Sequence, residues 1–161
     1  SVLLGSLIKN YRTLAEKKKI QIHFDTPKQS LIIADKLYLY RIFENLISNA
    51  LKFSPANKNI YISIKELENK IVVKIRDEGP GFTKEDLKQL YKKFQRLSAR
   101  PTGGESSTGL GLSIVKALVE KMDGELICQS EEGSGATFIV KLERSDELPD
   151  KNIPAVLENA N

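Results

Sequence analysis

The sequence predicts an α+β fold: a two-layer α/β sandwich, with a mixed, mostly antiparallel sheet of about five strands covered on one face by about three helices. Three observations predict it. Strand-like alternation and helix-like spacing succeed one another along the chain instead of segregating into halves. The alternating runs NIYISIKE at 59–66 and KIVVKIRD at 70–77 flank a short Glu-Asn turn and read as an antiparallel hairpin. The chain has 161 residues, 40% hydrophobic and 29% charged, which suits one globular domain able to bury a core.

Each element has its own signal. Residues 3–18 put Leu4, Leu7, Ile8, Tyr11, Leu14 and Ala15 on one helical face. IQIHFD at 20–25 alternates as a strand, Pro27 breaks the run, and LIIA at 31–34 reads as a short second strand. Asp35 is placed to N-cap a helix running to 54, where Pro55 ends it. Residues 83–92 form a short helix capped by Thr83, with Glu85 and Asp86 in its first turn. From 98 to 108 the chain is mostly Ser, Thr and Gly with one Pro and no periodicity, a mobile loop of functional length. A helix follows over 111–122, closed by Gly124, and strands at 125–130 and 136–143 complete the domain. Beyond Ser145 periodicity is lost, so 1–143 is expected to be the domain and 144–161 a poorly ordered tail or linker.

Composition narrows the function classes. No apolar run approaches the ~18 residues that span a bilayer, and the start SVLLGSLIKNYR lacks a basic leader and a cleavage site. No membrane contact by this stretch is expected. Cys128 is the single cysteine, which excludes an internal disulfide and a cysteine metal cluster. Its place in ELICQS predicts a buried thiol, and the whole suits a reducing cytoplasm. The net charge of +4 comes from 25 basic and 21 acidic residues that are scattered. With no tryptophan and no basic-aromatic platform, nucleic acid is not expected, whereas an anionic ligand is.

Four segments carry candidate chemistry, each with a plain structural alternative. On the helix 35–54, Asn45, Asn49 and Lys52 are spaced i, i+4 and i+7, on a stripe distinct from the apolar face of Leu39, Ile42, Phe43, Leu46, Ile47 and Ala50. Asparagine is a poor helix-interior residue, yet its amide oxygen suits Mg²⁺ and a lysine suits phosphate. The alternative is a solvated polar face. Asp77-Glu78-Gly79-Pro80-Gly81-Phe82 ends a strand with a carboxylate able to take a base amine, or is simply a turn. Thr108-Gly109-Leu110-Gly111-Leu112-Ser113 opens a helix with backbone N–H groups free for phosphate, or is a glycine hinge. It is neither a Walker loop nor a complete dinucleotide fingerprint. Gly133-Ser134-Gly135-Ala136-Thr137-Phe138 on its own is a hairpin turn.

In this order and spacing the segments resemble the ATP-binding domain of bacterial sensor histidine kinases, whose Bergerat-type fold is shared with gyrase, Hsp90 and MutL. ENLISNALKFSP resembles the N box, DEGPGF the first glycine box, KKFQRL the phenylalanine box, TGLGLSIV the second glycine box and GSGATF a third glycine element. The resemblance implies ATP and Mg²⁺ as cofactors. It implies that Asn49 holds the metal with Asn45 beside it, that Lys52 and Arg96 contact phosphate, and that Phe53 packs near adenine. Asp77 would take the adenine amine, with Gly79 and Gly81 allowing close approach beside Phe82. Thr108, Gly109, Leu110, Gly111 and Leu112 would flank the phosphates, Thr137 would support Asp77, and 97–108 would be the lid.

The resemblance further implies a reaction with two halves. ATPases of this superfamily have a glutamate where Asn45 stands, and an amide is no general base. Glu44 is rotated ~100° away around the helix. The chain would therefore hold ATP for another nucleophile, a histidine on a dimerisation domain upstream in a homodimeric protein, which then serves a response regulator. The only histidine, His23, lies in a strand and out of the acceptor context, so self-labelling is not expected. The domain itself is expected to be cytoplasmic, with any inner-membrane anchor elsewhere in the full-length protein. The alternatives are an ATPase or serine kinase of the same fold, and a nucleotide-sensing module without transferase activity.

Overall fold

A computed structural model of the chain describes residues 1–27, 34–95, 97–104 and 109–144. Among these, helices α1 (Val2–Lys17), α2 (Lys36–Phe53), α3 (Lys84–Gln89) and α4 (Gly111–Lys121) alternate with strands β1 (Gln21–Asp25), β2 (Asn59–Leu67), β3 (Lys70–Asp77), β4 (Glu125–Ser130) and β5 (Ala136–Glu143). The strands form one sheet in the order β1-β2-β3-β5-β4. β1 runs parallel to β2 and every other pairing is antiparallel, as the sequence predicts for a mixed sheet. The expected strand at 31–34 falls, over 31–33, outside the described residues, as does the tail from 145 onward.

Period-two patterning sorts the sheet residues between two unlike faces. Ile60, Ile62 and Ile64 of β2, Ile71, Val73 and Ile75 of β3, and Phe138, Val140 and Leu142 of β5 point under the helices and are buried. α2 lays Ile42, Phe43, Leu46, Ile47, Ala50 and Leu51 on them and is flanked by α1 and α4. The opposite face is open and largely polar. Two apolar residues there, Val72 and Ile139, are nonetheless buried and stand apart from the main core. In register Val72 sits between Lys65 and Lys141, and Ile139 sits between Lys74 and Ile127, neighbours whose aliphatic parts are long enough to cover them.

Caps set the boundaries. The Asp35 carboxylate accepts from the N–H groups of Leu37 (2.8 Å) and Tyr38 (3.2 Å), satisfying donors that the first turn of α2 leaves orphaned. Thr83 and Asp86 close a capping box on α3, which is shorter than the expected 83–92 and ends at Gln89. At the end of α4 Gly124 closes the helix, its N–H donating to the Val119 carbonyl at 3.0 Å, but it is not the residue that turns left-handed. The left-handed residue is Asp123 (φ 53°). Gly124 is required for space, because a Cβ there would lie 2.8 Å from the Lys141 carbonyl oxygen and 2.6 Å from Leu142. Cys128 faces the core from β4 but is only half-buried; burial, with Asp77 adding to it, pushes its thiol up to about 12.

Leu46, 1% exposed between helix layer and sheet, should lose about 2–5 kcal/mol on Leu46→Ala. Asp35→Ala should cost about 1 kcal/mol through the lost cap. Urea unfolding followed by circular dichroism measures both, and equal losses would contradict this division between core and cap.

Candidate functional site

Between α2, α4 and the C-terminal end of β3 lies a cleft of about 620 Å³, within the roughly 300–1,000 Å³ usual for small-molecule sites. Along one wall, the α2 stripe brings Asn45, Asn49, Lys52 and Phe53 to the cavity. Helical spacing produces the stripe, since the apolar face of α2 is committed to the sheet and the amides must turn toward α4. The Asn45 amide nitrogen donates to the Arg41 carbonyl at 2.7 Å, and its Oδ1 faces Gly111. A Cβ on Gly111 would meet that oxygen at 2.8 Å and the Asn49 amide nitrogen at 3.8 Å. Glycine here is what allows α4 to begin against the amide stripe.

The start of α4 is open. Its N-cap, Leu110, supplies no side-chain cap, and Gly109, Leu110, Gly111 and Leu112 all line the cleft. First-turn N–H groups without a cap, together with the helix dipole, make a seat for an anion. Gly109 adopts φ +70°, and a Cβ there would come within 2.6 Å of the Gln95 carbonyl oxygen. The Phe94 N–H donates to the Gly109 carbonyl at 3.1 Å, so the residues entering and leaving the 96–108 stretch lie side by side.

At the far end Asp77 is buried, 8% exposed, where β3 ends. Its Oδ1 accepts from the N–H groups of Gly79 (2.8 Å) and Ala136 (3.3 Å). Burial pushes its carboxyl above the ordinary value, and those two donors oppose the shift in part. Two glycine turns meet here backbone to backbone. A Cβ on Gly81 would lie 2.1 Å from the Glu131 carbonyl oxygen, and one on Gly135 2.1 Å from that of Asp77. The Gly133 N–H donates to the Pro80 carbonyl at 2.7 Å, and the Phe82 N–H to the Ser130 hydroxyl at 2.9 Å. GSGATF is thus the packing partner of DEGPGF.

The structure gathers most of the sequence-derived candidates on this cleft: Asn45, Asn49, Lys52, Phe53, Asp77, Gly81, Phe82, Gly109, Leu110, Gly111 and Leu112. Gly79 stands behind Asp77, where a Cβ would strike Oδ1 at 2.8 Å and the Phe53 carbonyl at 3.1 Å. The placement of Thr137 beside Asp77 is corrected. Thr137 pairs with the exposed Arg76 on the open face of the sheet, while its neighbour Ala136 lines the cleft and bonds Asp77. A one-residue step along a strand changes the face, which the motif alone did not resolve. Arg96 and Thr108 lie outside the described residues. Sequence reasoning missed Arg100, which lines the cleft with Ala99 and Pro101; an aperiodic loop gives no signal for which way its residues point.

The chemistry available follows from these groups. A carboxylate with one oxygen held by backbone donors presents the other to a ligand amine. Amides, a lysine and a bare helix N-terminus suit phosphates and a hard cation. Glu44 is turned away, accepting from the Tyr40 hydroxyl at 3.3 Å and pairing with Arg41 at 3.5 Å. Asp77 is the one carboxylate lining the cleft among the described residues. No helix among them is long and apolar enough to cross a membrane.

Residues 34–146 match the family described as histidine kinase-, DNA gyrase B- and HSP90-like ATPase. The sensor protein SrrB of Staphylococcus aureus is 32% identical over 146 residues, 91% of this chain but 25% of its own length, so the chain spans about a quarter of that relative. Among solved structures, the nucleotide-free catalytic domain of histidine kinase ThkA superposes with TM-score 0.76 at 23% identity, covering 88% of this chain and 92% of that one. Full-length ShkA in complex with AMPPNP gives 0.75 at 25% identity, covering 89% and 30%. The chain belongs to the histidine kinase-, DNA gyrase B- and HSP90-like ATPase family.

Proposed function

We propose that this domain binds Mg·ATP in the cleft and donates the γ-phosphoryl group to a histidine on a separate dimerisation domain, upstream in a homodimeric protein that serves a response regulator. The supporting observation is the convergence on one cleft of the Asn45–Asn49–Lys52 stripe, the uncapped start of α4 and, opposite them, the buried Asp77. The binding of AMPPNP, an ATP analogue, by ShkA supports the same ligand.

Asp77 selects the base. With Oδ1 occupied by two backbone N–H groups, Oδ2 accepts the exocyclic amine of adenine, whereas the carbonyl of guanine would face a carboxylate. Phe53 and Phe82 supply apolar walls for the base, and Gly79 and Gly81 keep Cβ atoms out of its way. Lys52 and the α4 amides at Gly109 and Gly111 hold the phosphates, with Thr108 and Arg96 assigned to the same end. Asn49 holds Mg²⁺, and Asn45 orients it from one turn away. The donors near the phosphates are neutral amide oxygens, which fit a cation that keeps most of its ligands as water and phosphate. When bound, Mg²⁺ would neutralise charge on the phosphate oxygens. The residues of the cleft otherwise act by positioning, and with Glu44 turned away none of those the structure describes is placed to activate water. That observation disfavours the ATPase reading.

The Asp77→Asn variant should bind an ATP analogue roughly 10- to 100-fold more weakly, through loss of a charge-assisted bond, as isothermal titration would read. It should also alter the pH dependence of stability. Burial raises the folded-state pKa of Asp77, so the carboxyl's contribution is fully present below its unfolded value of about 3.9 and is lost as pH rises through the folded value. The variant, lacking that loss, should gain on the wild type across this window in urea melts. An unchanged affinity would remove Asp77 from the site.

Metal dependence gives a second measurement. Mg²⁺ should tighten analogue binding to the wild type and leave the affinity of Asn49→Ala nearly unmoved. Wild-type binding indifferent to Mg²⁺ would overturn the role of Asn49.

Phosphate transfer should require a second domain. His23 sits on the open face of edge strand β1, stacked on Tyr61 with centroids 4.9 Å apart and its Nε2 3.0 Å from the Asn59 amide oxygen, whereas the cleft opens on the helix side. Incubation with γ-labelled ATP should leave the chain unlabelled until a histidine-bearing dimerisation domain is added. Label on His23 would contradict the proposal.

A further inference from the structure

Residues 98–102 cross the mouth of the cleft fastened at both ends. At the first end, Ser98 donates from its N–H (2.9 Å) and its hydroxyl to the carboxylate of Asp86. That carboxylate is buried and also accepts from the Thr83 N–H at 3.1 Å, as part of the α3 capping box. Burial alone would raise the Asp86 carboxyl, yet the Ser98 and Thr83 donors outweigh it and hold it below the ordinary range. The Asp86 tie is therefore made by a charged acceptor, the stronger kind.

The second end is tied by Thr102. Its N–H donates to the Lys52 carbonyl at 2.9 Å, and its hydroxyl lies 3.1 Å from the same carbonyl and 2.8 Å from that of Ser54. These carbonyls belong to the end of α2, where helix geometry leaves acceptors unfilled and Pro55 prevents continuation. Lys52 is also the residue whose side chain lines the cleft. Between the ties Ala99, Arg100 and Pro101 line the cavity, and Arg100 and Lys52 are the two cations that do so among the described residues.

We propose that Thr102 is a positioning residue: it clips the segment to the end of α2 so that Arg100, held between this clip and the Asp86–Ser98 tie, reaches the phosphates of the bound nucleotide and slows its release. The inference rests on the nucleotide reading above and adds to it two residues and a kinetic role.

Stopped-flow release of a fluorescent ATP analogue from the full chain tests this, with amide hydrogen exchange of the ligand-free chain alongside. Thr102→Val removes the hydroxyl bonds at nearly constant shape and should release the analogue roughly fivefold faster, with lost protection over 99–104 and an unchanged melting temperature. Thr102→Ser, which keeps the hydroxyl, should restore slow release. Arg100→Gln should also release faster, and adding Thr102→Val to it should bring little more, because the clip acts through Arg100. Unchanged release in Thr102→Val, or additive effects in the double variant, would overturn the proposal. So would unchanged exchange over 99–104, a readout that needs no ligand. A wild-type chain that binds no analogue at all would sink the nucleotide reading itself, a failure distinct from the loss of the clip alone.

Discussion

The geometry of the cleft depends on how α2 divides its circumference. Six of its side chains are buried against the sheet and its neighbouring helices, and this fixes its rotation because no other face could be buried there without stranding apolar surface in water. With the rotation fixed, Asn45, Asn49 and Lys52 have one direction left, toward the start of α4. Its far end is held as firmly. The Lys18 ammonium donates to the Leu51 carbonyl at 2.7 Å and the Lys52 carbonyl at 3.2 Å, and Thr102 adds its bonds to the same turn. A polar stripe can be placed within tenths of an ångström only on an element as constrained as this.

Contacts between backbones settle what side chains could not. Gly81 against Glu131, Gly135 against Asp77 and Gly109 against Gln95 each leave no room for a Cβ. Together they bring three loops distant in sequence to one place. The sequence shows where the chain turns, because glycine clusters interrupt clean periodicity, and the order of strands and helices was legible for the same reason. Which turn meets which is decided in three dimensions. GSGATF read alone is a hairpin, and its contact with DEGPGF becomes visible only when β3 and β5 lie side by side. The same limit accounts for Thr137. Motif spacing locates the segment, but the alternation of a strand decides whether residue 136 or 137 faces the cleft.

Short elements and loops were less legible than long ones. Helix α2 has enough turns for its pattern to be unambiguous, and Asp35 and Pro55 bracket it. Helix α3 has barely more than one turn, and its end is set by tertiary contacts at Leu90 that outweigh local propensity. At the close of α4, propensity assigns the left-handed position to glycine, yet Asp123 takes it because Gly124 is needed where β5 passes. Arg100 and Thr102 were invisible for another reason. Thr102 is held by side-chain bonds to carbonyls some fifty positions away in sequence, for which no local pattern exists, and Arg100 lies two residues before it.

Asp77 and Asn45 show the same economy at opposite ends of the cleft. A carboxylate is kept where burial opposes its charge, against the interest of stability; in the proposed function it is the strong acceptor that tells a base amine from a carbonyl. At position 45, where a carboxylate would sit beside phosphates and an activated water, the chain carries an amide whose nitrogen is occupied by Arg41 and whose oxygen can bind without abstracting a proton. Among the described residues of the cleft, negative charge thus sits at the Asp77 end and is absent from the amide stripe. On the proposed reading, a site arranged in this way would hold a triphosphate intact, with transfer waiting on a nucleophile presented from outside the cleft. The nearest carboxylate on the helix, Glu44, is engaged by Tyr40 and Arg41 on another face. Converting such a donor into a hydrolase would therefore require a new base at the amide stripe itself.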